Sequence, residues 1–470
     1  MPILLLALAA AAADGKKDAG PEPIPPAALD RKDPIDYAKD VQPVFANKCT
    51  VCHSGGQLEG KYDMGTHAGV LKGGKRGPAV VPGKPAESNL FLFAGHVRKP
   101  VMPPRSEGND LTPQEVAVLK AWIEQGAKGP AGPEVKPRVT ATVGLTPASV
   151  KPVRAVAVSP DKAVVAAGRG NQVHLFDART GAFLRTFSDP DLKTPDGKPA
   201  HAAHLSLVES MAYSPDGKTL ATGSFQEVIL WDAKTGVPKA RIGGFAHVVT
   251  CLAYSPDGAL LAAGGGAPTE DGEVRLFDAA GKPVAEIKGG HSDTVFGVCF
   301  SPDGKLLATA GADKFVKVFA VPSGKLVKSF EGHTHHVMDV GWTPDGKKLV
   351  SAGADNMVKV WDYEKGEKVR DIPGYQKQVT RLVFVGKKPE FLTASGDQQV
   401  RLTNAETGGQ LRAFAGATDF VYAVAASPDG GVVAAGGEEG VVRLYNGQTG
   451  QLVKAMVPPE AAPKSDEPRK

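Results

Sequence analysis

Ser301-Pro302-Asp303-Gly304-Lys305-Leu306-Leu307-Ala308-Thr309-Ala310 joins a tight turn to an apolar strand of small residues. Proline presets the backbone angle that a turn needs, and aspartate bonds its own backbone two residues on. Ser-Pro-Asp recurs at 159–161, 214–216, 255–257 and 427–429, with Thr343-Pro344-Asp345 as a variant. The sixth of seven units has Val385-Gly386-Lys387-Lys388 in its place. Pro302 and Pro344 lie 42 residues apart, and Pro344 and Pro428 lie 84 apart. Seven units at that period predict a repeat architecture of small β-sheets.

Within each unit an apolar strand such as 248–254 precedes the turn, and a small-residue strand such as 306–310 follows it. A third, alternating strand ends in Trp-Asp or a relative: Phe176-Asp177, Trp231-Asp232, Phe277-Asp278, Trp361-Asp362. A Thr-Gly hairpin turn or its equivalent leads to a fourth strand such as 326–330. These features resemble a WD-repeat propeller of seven blades over residues 139–457, with several degenerate blades. In that family a Gly-His histidine bonds an aspartate inside the blade, joined by a Trp in the best blades. His291 with Asp313, and His333 with Asp355 and Trp361, take those positions, and His247 is assigned similarly. Either 139–143 or 452–457 closes the last blade.

Upstream of the repeats stands Cys49-Thr50-Val51-Cys52-His53. Two thiols at this spacing, followed at once by histidine, read as a covalent haem attachment site. The thiols add to two vinyl groups, and His53 supplies an axial nitrogen. A redox Cys-x-x-Cys pair would need a βαβ context, and half a zinc site would need a second ligand pair. Neither follows here. The flanks are helical. A first helix is expected from near Asp40, with Pro43 in its first turn and Val41, Val44 and Phe45 on its apolar face. Thr112-Pro113-Gln114-Glu115 is a capping box, and Val116, Leu119, Trp122 and Ile123 form the buried face of a last helix ended by Gly126.

Along this stretch run the signals of one family: Val41-Gln42-Pro43, Leu71-Lys-Gly-Gly74, Gly77-Pro-Ala-Val-Val-Pro-Gly-Lys-Pro85, Met102-Pro-Pro104 and Trp122-Ile-Glu-Gln-Gly-Ala127. Over residues 40–128 the chain resembles the planctomycete-type cytochrome c domain. The resemblance implies one covalent haem c and makes Met102 the second axial ligand beside His53. His/Met ligation raises the potential and suits electron transfer. Met64, His67 and His96 are rivals for that second position, and His96 is the real competitor. The alternative for His67 and His96 is a surface loop or a haem-propionate partner. The segment 69–76 has the spacing of a phosphate-binding loop, but Arg76 stands where Ser or Thr would hold magnesium. It is rejected as a nucleotide site.

The fold class is therefore multidomain: a small all-α cytochrome c domain, then an all-β seven-bladed propeller. Residues 1–13 read as a signal peptide, since the apolar run 3–13 is too short for a permanent anchor and ends in small residues, although no Lys or Arg precedes it. Residues 14–34 and 130–138 read as Pro-rich linkers around a haem domain at 35–129, and 458–470 as a disordered tail. An exported, periplasmic location is expected, with no membrane span after signal cleavage. The net charge of +4 over 470 residues argues against a nucleic-acid partner. Lys72, Lys75, Arg76, Lys84, Arg98, Lys99 and Arg105 are expected to rim the haem and steer an acidic redox partner. Cys251 and Cys299 are expected as buried thiols, with a disulfide as the alternative. His201-x-x-His204 could bind a metal, but a solvated loop is favoured for 188–207, and 264–272 is expected as a second surface insertion.

The expected function is single-electron transfer through the haem, with the propeller as a platform for a protein partner. The alternatives are a haem oxidoreductase with a further active site on the propeller, and a non-redox scaffold or haem sensor. An electron-transfer and binding protein is favoured over a catalyst.

Overall fold

The computed structural model describes residues 23–31, 33–49, 53, 62–103, 110–130, 151–194, 197–269 and 272–459. The expected signal peptide, Cys52, Arg105, the strand at 139–143 and nearly all of the tail lie outside these residues. The chain divides into two compact units, Met1–Val139 and Thr140–Lys470. No helix among the described residues is long and apolar enough to cross a membrane.

The first unit is helical. Its first helical turn starts earlier than expected and with a wider pitch. Asp36 caps it by accepting the Lys39 N–H at 2.9 Å, and Tyr37–Val41 is π-helical. The Gln42 N–H reaches back five residues to the Tyr37 carbonyl, and Pro43 has no N–H to compete for the nearer acceptors. Helix α1, Gln42–Lys48, follows with Pro43 in its first turn. Helices α2, His67–Lys72, and α3, Asn89–Ala94, come next, and α4 spans Pro113–Glu124. The capping box of α4 is complete: Thr112 accepts from the Glu115 N–H, and the Glu115 carboxylate accepts from the Thr112 N–H at 2.7 Å. Gly126 then takes φ +93°, which glycine adopts without strain. Val41, Phe45, Val70, Leu90, Leu119, Trp122 and Ile123 form one core. Phe45 meets the Trp122 ring edge-on at 6.0 Å.

The second unit is all antiparallel β: five four-stranded sheets and one of seven strands. In the seven-stranded sheet, Pro238–Tyr254 is one 17-residue strand. Its first part pairs with Phe225–Asp232 (Ile242 opposite Val228), and its second with Leu260–Gly266 (Ala253 opposite Ala262). The first strands of successive sheets touch in turn, and the last, Val421–Ala426, touches the first, Val153–Val158. Around that junction the Arg169 Nε donates to the Gly440 carbonyl at 3.0 Å, and the Arg154 guanidinium lies 4.2 Å from the Tyr422 ring centroid. Leu452–Met456 pairs with Val442–Asn446 as the outer strand of the last sheet.

The repeated turn has a chemical reason. In Ser301-Pro-Asp303 the serine hydroxyl donates to the Asp303 carboxylate at 2.6 Å and accepts the Leu306 N–H at 3.0 Å. One side chain thereby ties the turn to the next strand. Ser159, Ser214, Ser255, Thr343 and Ser427 do the same. The aspartate ending the third strand caps the following hairpin, as Asp232 does for Thr235 at 2.8 Å. Asn404 and Asn446 take that role in the last two sheets, although their sequences carry no Trp-Asp signal.

A second recurring bond spans 18 residues. The Nε2 of His291 lies 2.7 Å from the Thr309 hydroxyl, and that of His333 lies 2.8 Å from the Ser351 hydroxyl. Their Nδ1 atoms face Asp313 and Asp355 at 2.8 and 3.0 Å. Burial opposes ionisation of Asp313, but bonds from His291 and Lys317 outweigh it and hold the carboxyl down at about 2. Between that value and the ordinary range near 4, the unfolded chain binds more protons than the folded one. Asp313 therefore stabilises the fold above the window, and its contribution is lost as pH falls through it. Asp313→Asn is expected to flatten the acid limb of a melting-temperature profile. An unchanged limb would remove Asp313 from that account.

Candidate functional site

The first candidate site grows from the end of α1. The Cys49 N–H donates to the Phe45 carbonyl at 2.8 Å, and the His53 N–H donates to the Cys49 carbonyl at 3.0 Å. Each bond has the four-residue offset of a helix, and the second joins Cys49 to His53. Cys49 is half-buried against the helical core. His53 is half-buried, and its Nδ1 is buried with no hydrogen-bond partner among the described residues. The chain returns beside His53: the Met64 N–H donates to the His53 carbonyl at 2.6 Å, and the Tyr62 ring stands 5.4 Å from the imidazole. Burial pushes the Tyr62 hydroxyl far above its ordinary range, and that hydroxyl donates to the Val70 carbonyl at 3.0 Å.

Two of the rival ligands have other occupations. Met64 is buried in the helical core. The His67 ring is neither on the surface nor open to a ligand at both nitrogens. Its Nε2 lies 2.9 Å from the Ala127 carbonyl, and it packs on Tyr37 and Trp122.

The other two come together. The N–H groups of His96 and Met102 both donate to the Phe93 carbonyl, at 3.2 and 3.1 Å. Met102 is half-buried. His96 is 1% exposed, so it is not a surface residue, and it holds φ +56°. Among the described residues its Nε2 is buried without a hydrogen bond, and the Asp110 carboxylate lies 3.7 Å from it. Asp110 in turn accepts from Lys48, the neighbour of Cys49, through its carbonyl at 3.1 Å.

Arg76 and Arg98 stack over Phe93, at 5.8 and 5.4 Å. This puts two cations of the basic group beside the carbonyl that carries Met102. Lys72, Lys75 and Lys99 are exposed, whereas Lys84 is paired with Glu87 at 3.0 Å. Sequence reasoning missed Phe93 as the organiser. Ser88 before Leu-Phe-Leu-Phe-Ala and Gly95 after it was the available helix signal.

In the β unit, His204 overturns the expected solvated loop. It is fully buried, with Nε2 2.7 Å from the Thr222 hydroxyl and Nδ1 2.7 Å from Glu227. Trp231 donates to the same Thr222 hydroxyl at 2.8 Å. The insertion is pinned further by Arg241, which bridges Glu227 and the buried Asp189. His204 thus makes the blade-histidine bond of its own repeat, 18 residues ahead of Thr222; the sequence reading assigns His247 the same role in the following repeat. Among the described residues His247 instead stacks on Phe225 at 5.2 Å. His201 is exposed at φ +50°, and no group of three or more His, Cys, Asp or Glu suited to a metal occurs among the described residues.

The first strands of the sheets enclose a cavity of about 410 Å³. Arg381 crosses it, donating to the Thr250 and Phe296 carbonyls at 2.8 and 3.1 Å. Asp339 accepts the Val340 and Leu382 N–H groups, both at 2.9 Å, and burial raises its carboxyl to about 6. Cys251 and Cys299 line the same cavity without a disulfide, and burial pushes their thiols up to about 12 and about 11. Protonated thiols are poor nucleophiles and poor metal ligands.

Comparison with known families gives two matches. Residues 49–106 match Planctomycete cytochrome C. Residues 197–232, 238–278, 281–319, 324–362 and 408–446 match the WD domain, G-beta repeat. No curated protein matches the chain.

Proposed function

From a chain that joins a planctomycete cytochrome c domain to WD repeats, we propose an exported electron-transfer protein with one covalent haem and a seven-bladed propeller that docks a protein partner. The observation that carries this reading is His53. Its buried imidazole nitrogen has no hydrogen-bond partner among the described residues, and its N–H donates to the Cys49 carbonyl. A buried polar nitrogen left unpaired costs about 1–3 kcal/mol, which is recovered when that nitrogen meets the iron, or an acceptor as the ring turns its other nitrogen to the iron.

In this reading Cys49 and Cys52 hold the haem through thioethers, and His53 and Met102 ligate its iron. The bound group supplies a one-electron couple. The residues do the rest. The α1–α4 core holds Cys49 in position, the Phe93 carbonyl fixes the Met102 backbone, and half-buried Tyr62 and buried Met64 pack beside His53. Arg76, Arg98 and the exposed lysines 72, 75 and 99 present positive charge to an acidic redox partner.

The seven-blade reading takes the seven-stranded sheet as two blades that share the continuous strand Pro238–Tyr254, beside the five four-stranded sheets. Covalent haem attachment outside the cytoplasm supports export. A second reading places His96 in the Met102 position, favoured by its own unpaired buried nitrogen.

The test is spectroscopic. Protein matured in a host that attaches haem should show c-type bands when reduced, the weak red band of a thioether ligand when oxidised, and no ready binding of CO. Ready CO binding would replace electron transfer by the sensor or enzyme alternative.

A further inference from the structure

His96 carries two costs at once. A left-handed backbone at a helix end is ordinarily given to glycine, and here glycine is one residue earlier, at Gly95. A buried imidazole nitrogen without a hydrogen bond adds a desolvation penalty. Such costs concentrate at working residues. The backbone says which work. His96 and Met102 are the two ends of a seven-residue strap whose middle, Val97–Lys99, is exposed. Both ends hang on one acceptor, the Phe93 carbonyl. Two side chains able to ligate iron therefore leave the backbone from one place. An exchange between them needs side-chain motion and leaves the anchor intact.

We propose that His96 is a standby axial ligand, which takes the Met102 position when the thioether is lost, or when a peroxide gives one oxygen atom to the sulfur and leaves as water or alcohol. This rests on the haem reading above. The chemistry favours the exchange in that direction. A methionine sulfoxide is no longer a soft thioether, whereas neutral imidazole binds both iron oxidation states. Asp110, 3.7 Å from Nε2 and tied to Lys48, is the charged group facing His96 from the α4 side. It can take up the ring's other N–H once the ring turns.

The experiment uses the full holoprotein. Met102→Ala should lose the red thioether band and stay low-spin and six-coordinate, refusing CO. Met102→Ala with His96→Asn should become high-spin and bind CO when reduced, at least about tenfold more tightly than the single variant. Asparagine tolerates the left-handed backbone, so the strap keeps its shape. His96→Asn alone should leave the wild-type spectrum unchanged. If Met102→Ala by itself turns high-spin and takes CO like the double variant, the standby role is overturned and the Met102 assignment stands. If His96→Asn alone abolishes the low-spin spectrum, His96 is the resident ligand: the standby role and the Met102 assignment both fall, and the second reading above takes their place.

Discussion

The double variant Cys49→Ala, Cys52→Ala is expected to purify without any covalently bound haem. Only thioether bonds survive denaturation, and the motif offers no other thiol: the remaining two, Cys251 and Cys299, line a cavity in the β unit and are held protonated by burial. Haem staining after denaturing electrophoresis reads the loss directly. The β unit has its own cores, such as Leu307, Val316, Phe330 and Trp361 among their neighbours. Its melting transition should therefore stay within about 0.5 kcal/mol of wild type, as for a change far from any packed feature. A variant that still stains would sink the attachment reading. A single Cys49→Ala change should keep one thioether and shift the reduced band.

The second large effect is expected at His333→Ala. His333 is buried between the Asp355 carboxylate at 3.0 Å and the Ser351 hydroxyl at 2.8 Å, and Trp361 donates to that same hydroxyl at 2.8 Å. Asp355 also accepts the Thr334 N–H at 3.0 Å. Truncation removes the central member of this network, leaves a buried carboxylate short of a donor, and opens a cavity beside Gly353. A Cβ on Gly353 would already stand only 2.4 Å from the histidine ring. Losses of this kind run to about 3–5 kcal/mol. At about 1.5 °C per kcal/mol for a unit of roughly 300 residues, the β unit should melt roughly 5–7 °C lower. His335→Ala, at an exposed neighbour, is the control and should move the transition little. Equal effects from both variants would deny the network its role.

The helical unit was legible where its signals are local. The capping box of α4 and the burial of Val116, Leu119, Trp122 and Ile123 follow from spacing alone, because each contact lies within one or two turns. The candidate site was legible only in part. Cys49, Cys52 and His53 announce themselves by adjacency. The choice among Met64, His67, His96 and Met102 depends on burial and on partners 11 to 60 residues away, as with His67 and Ala127. The insertion at 188–207 looked solvated because its composition is polar. In the fold, His204 and Asp189 are held by partners from other strands, Thr222, Glu227 and Arg241.

By itself, then, the amino-acid order determined features whose hydrogen bonds close within about five residues: the Ser-Pro-Asp turns, the hairpin caps after the Trp-Asp-type pairs and the capping box of α4; it also carried the adjacency of Cys49, Cys52 and His53. Tertiary structure alone decided which histidine fills each sheet. It gave His204 the bond to Thr222, set His247 edge-on to Phe225, and let Tyr375 replace histidine, its hydroxyl 2.9 Å from Thr393. It also fused two sheets through one strand and hung His96 and Met102 on a single carbonyl. The physical reason is register. A buried polar group must find a partner, but which partner is near depends on how strands and helices are stacked, and neighbours along the chain do not carry that information.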